Sequence, residues 1–206
     1  MSSRRINRVA LGKAAAALVV VVVILMLPQV IAGNQYQLTV LALLAINILL
    51  VSSLRSLTLI NEISLGQVGF ALIGAYTHAI LVMKGGLSFW PALILSGLFP
   101  AVIALVLGYP FLKVRGIYFS ILTLLTAETF RLVAYYWTSV TGGTQGLVGI
   151  PAPEPLGGIK FDTINNYYYI AVGVVLVALL ILYYFERAYI SFQWRAIRDD
   201  NMLAGS

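Results

Sequence analysis

Residues 89–112 read FWPALILSGLFPAVIALVLGYPFL, a run without one Asp, Glu, Lys or Arg. As a helix rising 1.5 Å per residue it extends about 36 Å, enough to cross a hydrocarbon core of ~30 Å. Charge resumes on both flanks, at Lys84 before the run and at Lys113 and Arg115 after it. Five further apolar segments repeat the pattern, at residues 14–31, 38–54, 63–83, 117–137 and 167–184. The chain therefore reads as all-α: a polytopic transmembrane helical bundle of about six spans, one domain over residues 1–206.

Composition agrees. Of 206 residues, 61% are hydrophobic and only 10% charged, whereas a soluble domain carries about a quarter charged residues. So few charges cannot cover a water-exposed surface, and lipid is the solvent that suits the chain. The net charge of +6 lies between the apolar stretches rather than in one patch, which fits membrane topology and not nucleic acid. There is no cysteine, hence no disulfide, no thiolate nucleophile and no cysteine metal site. Arg4, Arg5, Arg8 and Lys13 precede residues 14–31, but that run is long for a signal peptide and no small-residue cleavage site follows it. It reads as a retained first helix.

Lys and Arg also give the orientation. With a cytoplasmic N-terminus, Arg4, Arg5, Arg8, Lys13, Arg55, Lys113, Arg115, Arg187, Arg195 and Arg198 fall inside. Lys84 and Lys160 fall outside, and Arg131 lies within a helix. The bias alternates through all six segments and places both termini in the cytoplasm. Residues 138–166, rich in Gly and Pro, form an outward loop expected to turn rather than coil into a helix. Residues 186–206 are a polar cytoplasmic tail, with helical propensity and an apolar stripe at Trp194, Ile197 and Met202 or Leu203. That element has no cap, so the chain reads as cut short within it.

Several residues stand out for chemistry. The third segment opens NEISLGQVGFALIGAYTH and places Glu62, Gly66, Gln67, Gly69 and Gly74 in or beside a membrane span. Two readings of the glycines stand side by side: close helix packing through small faces, or a discontinuous helix lining a permeation path. Glu128 and Arg131, three residues apart inside the fifth segment, share a helical face. Charges at that depth require mutual pairing or a polar cavity, so the pair is expected to face the bundle interior, either as a structural lock or in a substrate or gating role. His78 is the only histidine, and no HExxH or GxSxG motif accompanies it. An intramembrane hydrolase has nothing else to use. The chain is expected not to be an enzyme, and no metal or cofactor is expected. Residues 141–146 (TGGTQG) lack the GK[ST] ending of a phosphate loop and read as a turn across the outer mouth. The tyrosines and Trp137 around the loop suit an interfacial aromatic belt.

Four blocks in order, residues 62–76 (EISLGQVGFALIGAY), 114–122 (VRGIYFSIL), Glu128 to Arg131 (ETFR) and 141–151 (TGGTQGLVGIP), together resemble one family. It is the membrane permeases of ABC importers for branched-chain amino acids, the LivM-like branch in particular. With the hydropathy, the likeness covers most of the chain from about Leu38 to Ala204. It implies a permease subunit of the bacterial inner membrane, working with ABC ATPase subunits, a second homologous permease subunit and an external solute-binding protein. It also implies that Glu62, Gly66, Gln67, Gly69 and Gly74 line the translocation path. The tail, with Trp194, Arg195, Ile197, Arg198, Asp199 and Asp200, resembles the start of the cytoplasmic loop that seats in an ATPase groove. A short amphipathic helix docked in a cleft can transmit rigid-body motion, although its basic residues would also suit anionic lipid. Permeases of this family continue through further spans, so the likeness implies that the C-terminal part of the usual domain is missing. Cargo is left between branched-chain amino acids and urea or another small amide or amino acid. An ion-coupled secondary carrier, with Glu128 and Arg131 as coupling site, is the reading from a different class.

Overall fold

The computed structural model describes residues 26, 28, 35–58, 62–111, 113–155, 161 and 163–187. Among these the regular elements are helices, without a strand: α1 (Gln35–Thr58), α2 (Gln67–Met83), α3 (Phe89–Phe111), α4 (Ile117–Tyr136), the single turn α5 (Thr138–Thr141) and α6 (Ile164–Arg187). A 3₁₀ turn, Gly143–Gln145, follows α5. Four helices, α1, α3, α4 and α6, are long and apolar enough to cross a membrane, and α2 is apolar but shorter at 17 residues. The expected first span, residues 14–31, lies almost entirely outside the described residues, as does the tail beyond Arg187.

Backbone satisfaction explains why this sequence is helical. In hydrocarbon every N–H and C=O needs an internal partner, which a helix provides within one segment. The polar side chains on the spans follow the same rule by bonding back into their own helices. Asn47 Nδ2 donates to the Leu43 carbonyl at 2.8 Å, Thr126 Oγ1 to Leu122 at 2.8 Å and Thr129 Oγ1 to Leu125 at 2.8 Å. Pro91 occupies the first turn of α3, where its missing N–H costs nothing. Pro100 lies mid-helix and leaves the Ser96 carbonyl without its i+4 donor.

Small residues set the packing. α2 lies between α3 and α4, while α1 packs along α6 and touches α2 more lightly. Gly74 faces the Ser96 carbonyl, and a Cβ there would stand 3.1 Å from that oxygen. Gly69 meets Ala127 of α4, and Phe70 packs edge-on to Phe130 at 5.7 Å. Leu38 on α1 and Tyr168, Val172 and Val175 on α6 are buried. Many large apolar side chains remain exposed, including Leu105, Val106, Leu180 and Tyr184, as a chain solvated by lipid or by other membrane helices requires.

The helices sort their charges to two ends. Arg55, Glu62, Lys113, Arg115, Glu186 and Arg187 gather where α1, α3 and α6 finish and α4 starts. Ser56 Oγ donates to Glu186 Oε1 at 3.0 Å there, with Arg55 Nη2 3.9 Å from Glu186 Oε2. Lys84 and the segment after α4 lie at the opposite end. The described helices thus alternate in direction between these two ends.

Candidate functional site

The third apolar segment does not start as a helix. Residues 62–66 lie outside any helix, and α2 begins only at Gln67, with Gly66 (φ −82°, ψ −11°) as its N-cap and no side-chain cap. The expected helical onset at residue 63 is therefore displaced by four residues, because α4 supplies the bonds that a helix would otherwise make. Ser120 Oγ donates to the Ile63 carbonyl at 2.7 Å, and the Leu65 N–H donates to Thr123 Oγ1 at 3.0 Å. Ser120 and Thr123, three apart on α4, share a helical face and meet the Ile63 carbonyl and the Leu65 N–H. The buried Ser64 turns its Oγ back to accept the Gly66 N–H at 3.2 Å.

Glu62 closes the unwound stretch. Both its carboxylate oxygens accept the Gly116 N–H, at 3.2 and 3.1 Å, and its own N–H reaches the Leu57 carbonyl at 3.4 Å. Gly116 has φ +63° and ψ −136°, a conformation natural only to glycine, which turns its N–H toward Glu62. Gln67 follows, and its Nε2 is buried without a hydrogen-bond partner among the described residues.

The two readings of the glycines thus fall on different residues. Gly66 ends the unwound stretch, and a Cβ there would find ordinary contact with Thr123. Gly69 and Gly74 are points of close helix approach, to α4 and α3 respectively. Among the described residues of the third apolar segment, residues 62–66 are the non-helical backbone, with the polar side chain of Gln67 directly after them.

Glu128 and Arg131 do pair. Arg131 Nε donates to Glu128 Oε2 at 2.8 Å and Nη2 to Oε1 at 2.6 Å, a two-pronged contact. The described helices leave the pair open: the side chains of Arg131 and Glu128 are 57% and 47% exposed. The cause is helical phase. Phe119, Thr123 and Ala134 form the buried face of α4, with Ala127 against Gly69, and residues 128 and 131 fall off that stripe beside exposed Leu124, Leu125 and Leu132.

At the opposite end the glycine-rich loop is built, not slack. Thr141 Oγ1 lies 2.6 Å from the Ala134 carbonyl and 2.7 Å from that of Trp137, and accepts the Gly143 N–H at 3.2 Å. Gly142 (φ +77°) has no room for a Cβ, which would run into the Gly146 carbonyl. Lys84 Nζ donates to the Ser139 and Val140 carbonyls at 2.8 and 3.0 Å, which ties the end of α2 to α5. Within the bounds expected for the loop, residues 138–166, lie the four-residue helix α5, the 3₁₀ turn and the start of α6 at Ile164; residues 156–160 and 162 are outside the described residues.

His78 packs edge-on to Phe89 at 4.6 Å, with Nε2 buried and unpartnered among the described residues. No group of three or more His, Asp or Glu close enough to hold a metal exists among those residues. Trp194, Arg195, Ile197, Arg198, Asp199 and Asp200 lie outside them. Sequence reasoning missed Ser120, Thr123 and Lys84. The Ser-x-x-Thr spacing beside an unwound segment was the available signal for the first two; nothing in the sequence marked Lys84 as a loop anchor.

Residues 36–206 match the family model described as the branched-chain amino acid transport system permease component. Among curated proteins, the high-affinity branched-chain amino acid transport system permease protein LivM of Salmonella typhimurium is 34% identical over 165 residues. The LivM protein of Escherichia coli is 33% identical over 165 residues. Each alignment covers 69% of this chain and 39% of the relative, so the chain spans well under half the length of the proteins it resembles. No solved structure matches it.

Proposed function

We propose, because this chain belongs to the family of branched-chain amino acid transport permease components, that it is the membrane-spanning subunit of an ATP-driven importer. The observation that carries this reading is the unwound stretch of residues 62–66 ahead of α2, within a family of transport components. A break of this kind exposes backbone dipoles to a passage without exposing them to lipid. In this account the passage runs past Glu62, Gly66 and Gln67. Gly69 and Gly74 serve it by seating α2 against α4 and α3.

Hydrolysis of ATP belongs to two partner ATPase subunits. A second homologous permease subunit completes the passage, and an external binding protein delivers a branched-chain amino acid to the outer face. The tail bearing Trp194, Arg195, Ile197, Arg198, Asp199 and Asp200 docks on the ATPase and passes its movement to the bundle. The chain resides in the bacterial inner membrane with both termini in the cytoplasm. Co-purification tests the assembly: an importer subunit elutes with an ATPase, whereas an ion-coupled carrier elutes without one.

A further inference from the structure

Arg131 and Glu128 stand where lipid is the wrong neighbour. At 1.5 Å per residue Glu128 lies about 16 Å from the first residue of α4 and about 12 Å from its last, well within a membrane span. Both side chains nevertheless stand open, 47% exposed for Glu128 and 57% for Arg131, on a face that the described helices leave uncovered. Ionised groups at this depth face water or polar protein.

The pair also has bonding capacity to spare. A guanidinium carries five N–H donors, and two of these point at Glu128; a carboxylate has about four acceptor positions, and two are taken by Arg131. What remains is a fixed, electrically neutral combination of free donors beside free acceptors. One turn to either side lie Leu124, Leu125 and Leu132, all exposed. A neutral pair has no preference for a net ion. Its complement is a molecule that is itself a zwitterion with an apolar side group.

We propose that Glu128 and Arg131 form a cargo-contact site for a free aliphatic amino acid, a proposal that rests on the amino-acid importer reading above. Arg131 takes the α-carboxylate, Glu128 takes the α-ammonium, and Leu124, Leu125 and Leu132 receive the hydrocarbon side chain. Both bonds are charge-assisted. Because each charged group is already partly satisfied by the other, the site holds cargo weakly, as a passage requires if cargo is also to leave. Urea, with no carboxylate and no ammonium, gains little there.

The chain contains no cysteine, so single cysteines report cleanly. In the assembled importer in native membranes, Leu125→Cys and Leu132→Cys are treated with a charged, membrane-impermeant methanethiosulfonate. Leu105→Cys, at a position of α3 that is 77% exposed and apolar and lies away from the charge pair, is the control. The expected result is reaction at 125 and 132, slowed at least threefold by leucine with its binding protein, and none at 105. Positions 125 and 132 as inert as 105, or reacting with no effect of leucine, overturn the proposal.

A second measurement replaces both charges together, Glu128→Leu with Arg131→Leu. Loss of at least tenfold in leucine uptake from an assembled complex is expected. Undiminished uptake would make the pair a replaceable structural contact and also overturn the proposal. If the double variant does not insert, the labelling, done with the pair intact, still decides. An unaltered importer that takes up no leucine removes the importer reading and the site with it; an active importer with inert positions 125 and 132 removes the site alone.

Discussion

Gly69 and Ala127 lie so close that a Cβ at position 69 would stand 2.7 Å from the Ala127 Cα, which is backbone and cannot swing aside. This contact fixes the seam between α2 and α4, and therefore the position of the unwound stretch just before α2. Gly69→Ala is expected to force the helices apart at a cost of about 1–3 kcal/mol, the range for overpacking a close contact. Gly74→Ala, meeting the Ser96 carbonyl at 3.1 Å, is expected to cost less. Thermal unfolding of the detergent-purified chain, followed by size-exclusion profile, checks the order: unaltered chain, then Gly74→Ala, then Gly69→Ala, in falling stability.

Thr123 pins the unwound stretch by accepting the Leu65 N–H. Thr123→Val keeps the shape and removes the acceptor, leaving a part-buried N–H unpaired at a cost of about 1–3 kcal/mol. Thr123→Ser keeps the acceptor and is expected to stay close to the unaltered protein. Uptake and thermal stability are both expected to fall for Val and to hold for Ser. Equal behaviour of the two variants would show that the bond does not position residues 62–66.

Glycines with positive φ divide into two kinds. Gly142 combines φ +77° with a carbonyl where its Cβ would go, whereas Gly86 has φ +63° and open space around it. Gly142→Ala is expected to disrupt the loop after α4, and Gly86→Asn to be tolerated, since Asn accepts left-handed backbone. Limited proteolysis of the detergent-purified chain reads the difference as faster cutting within residues 138–155 for Gly142→Ala alone.

Lys84 reaches across to two carbonyls of the same loop. Lys84→Met removes both bonds while keeping the apolar stem of the side chain. Faster cutting of the same loop by the same protease is expected, without loss of membrane insertion.

How much of this was legible in sequence depends on the kind of signal. The uncharged run at residues 89–112 appears as α3, Phe89–Phe111, because length and apolarity alone decide a membrane helix. The i,i+3 spacing of Glu128 and Arg131 made pairing one of two expectations, the other being a polar cavity, because residues three apart on a helix are neighbours. Which way the pair faces was not legible. The phase of α4 is set by Gly69 seating on Ala127, a contact between distant parts of the chain. Likewise EISLG reads as apolar helix until Ser120 and Thr123 compete for its backbone. The anchor at Lys84 depends on loop carbonyls, which a one-letter sequence does not mark.

The importer reading also places the ATPase contact at the tail. Arg195→Glu with Arg198→Glu is expected to weaken ATPase co-purification at least tenfold with insertion unchanged. Unaltered co-purification would remove the coupling role.

Uptake of labelled leucine and labelled urea, in cells with and without this gene, tests the central claim most directly. The account predicts leucine uptake that requires the gene and disappears on ATP depletion while the ion gradient is held, with urea uptake unchanged. Leucine uptake that is the same without the gene, or that survives ATP depletion, would contradict it.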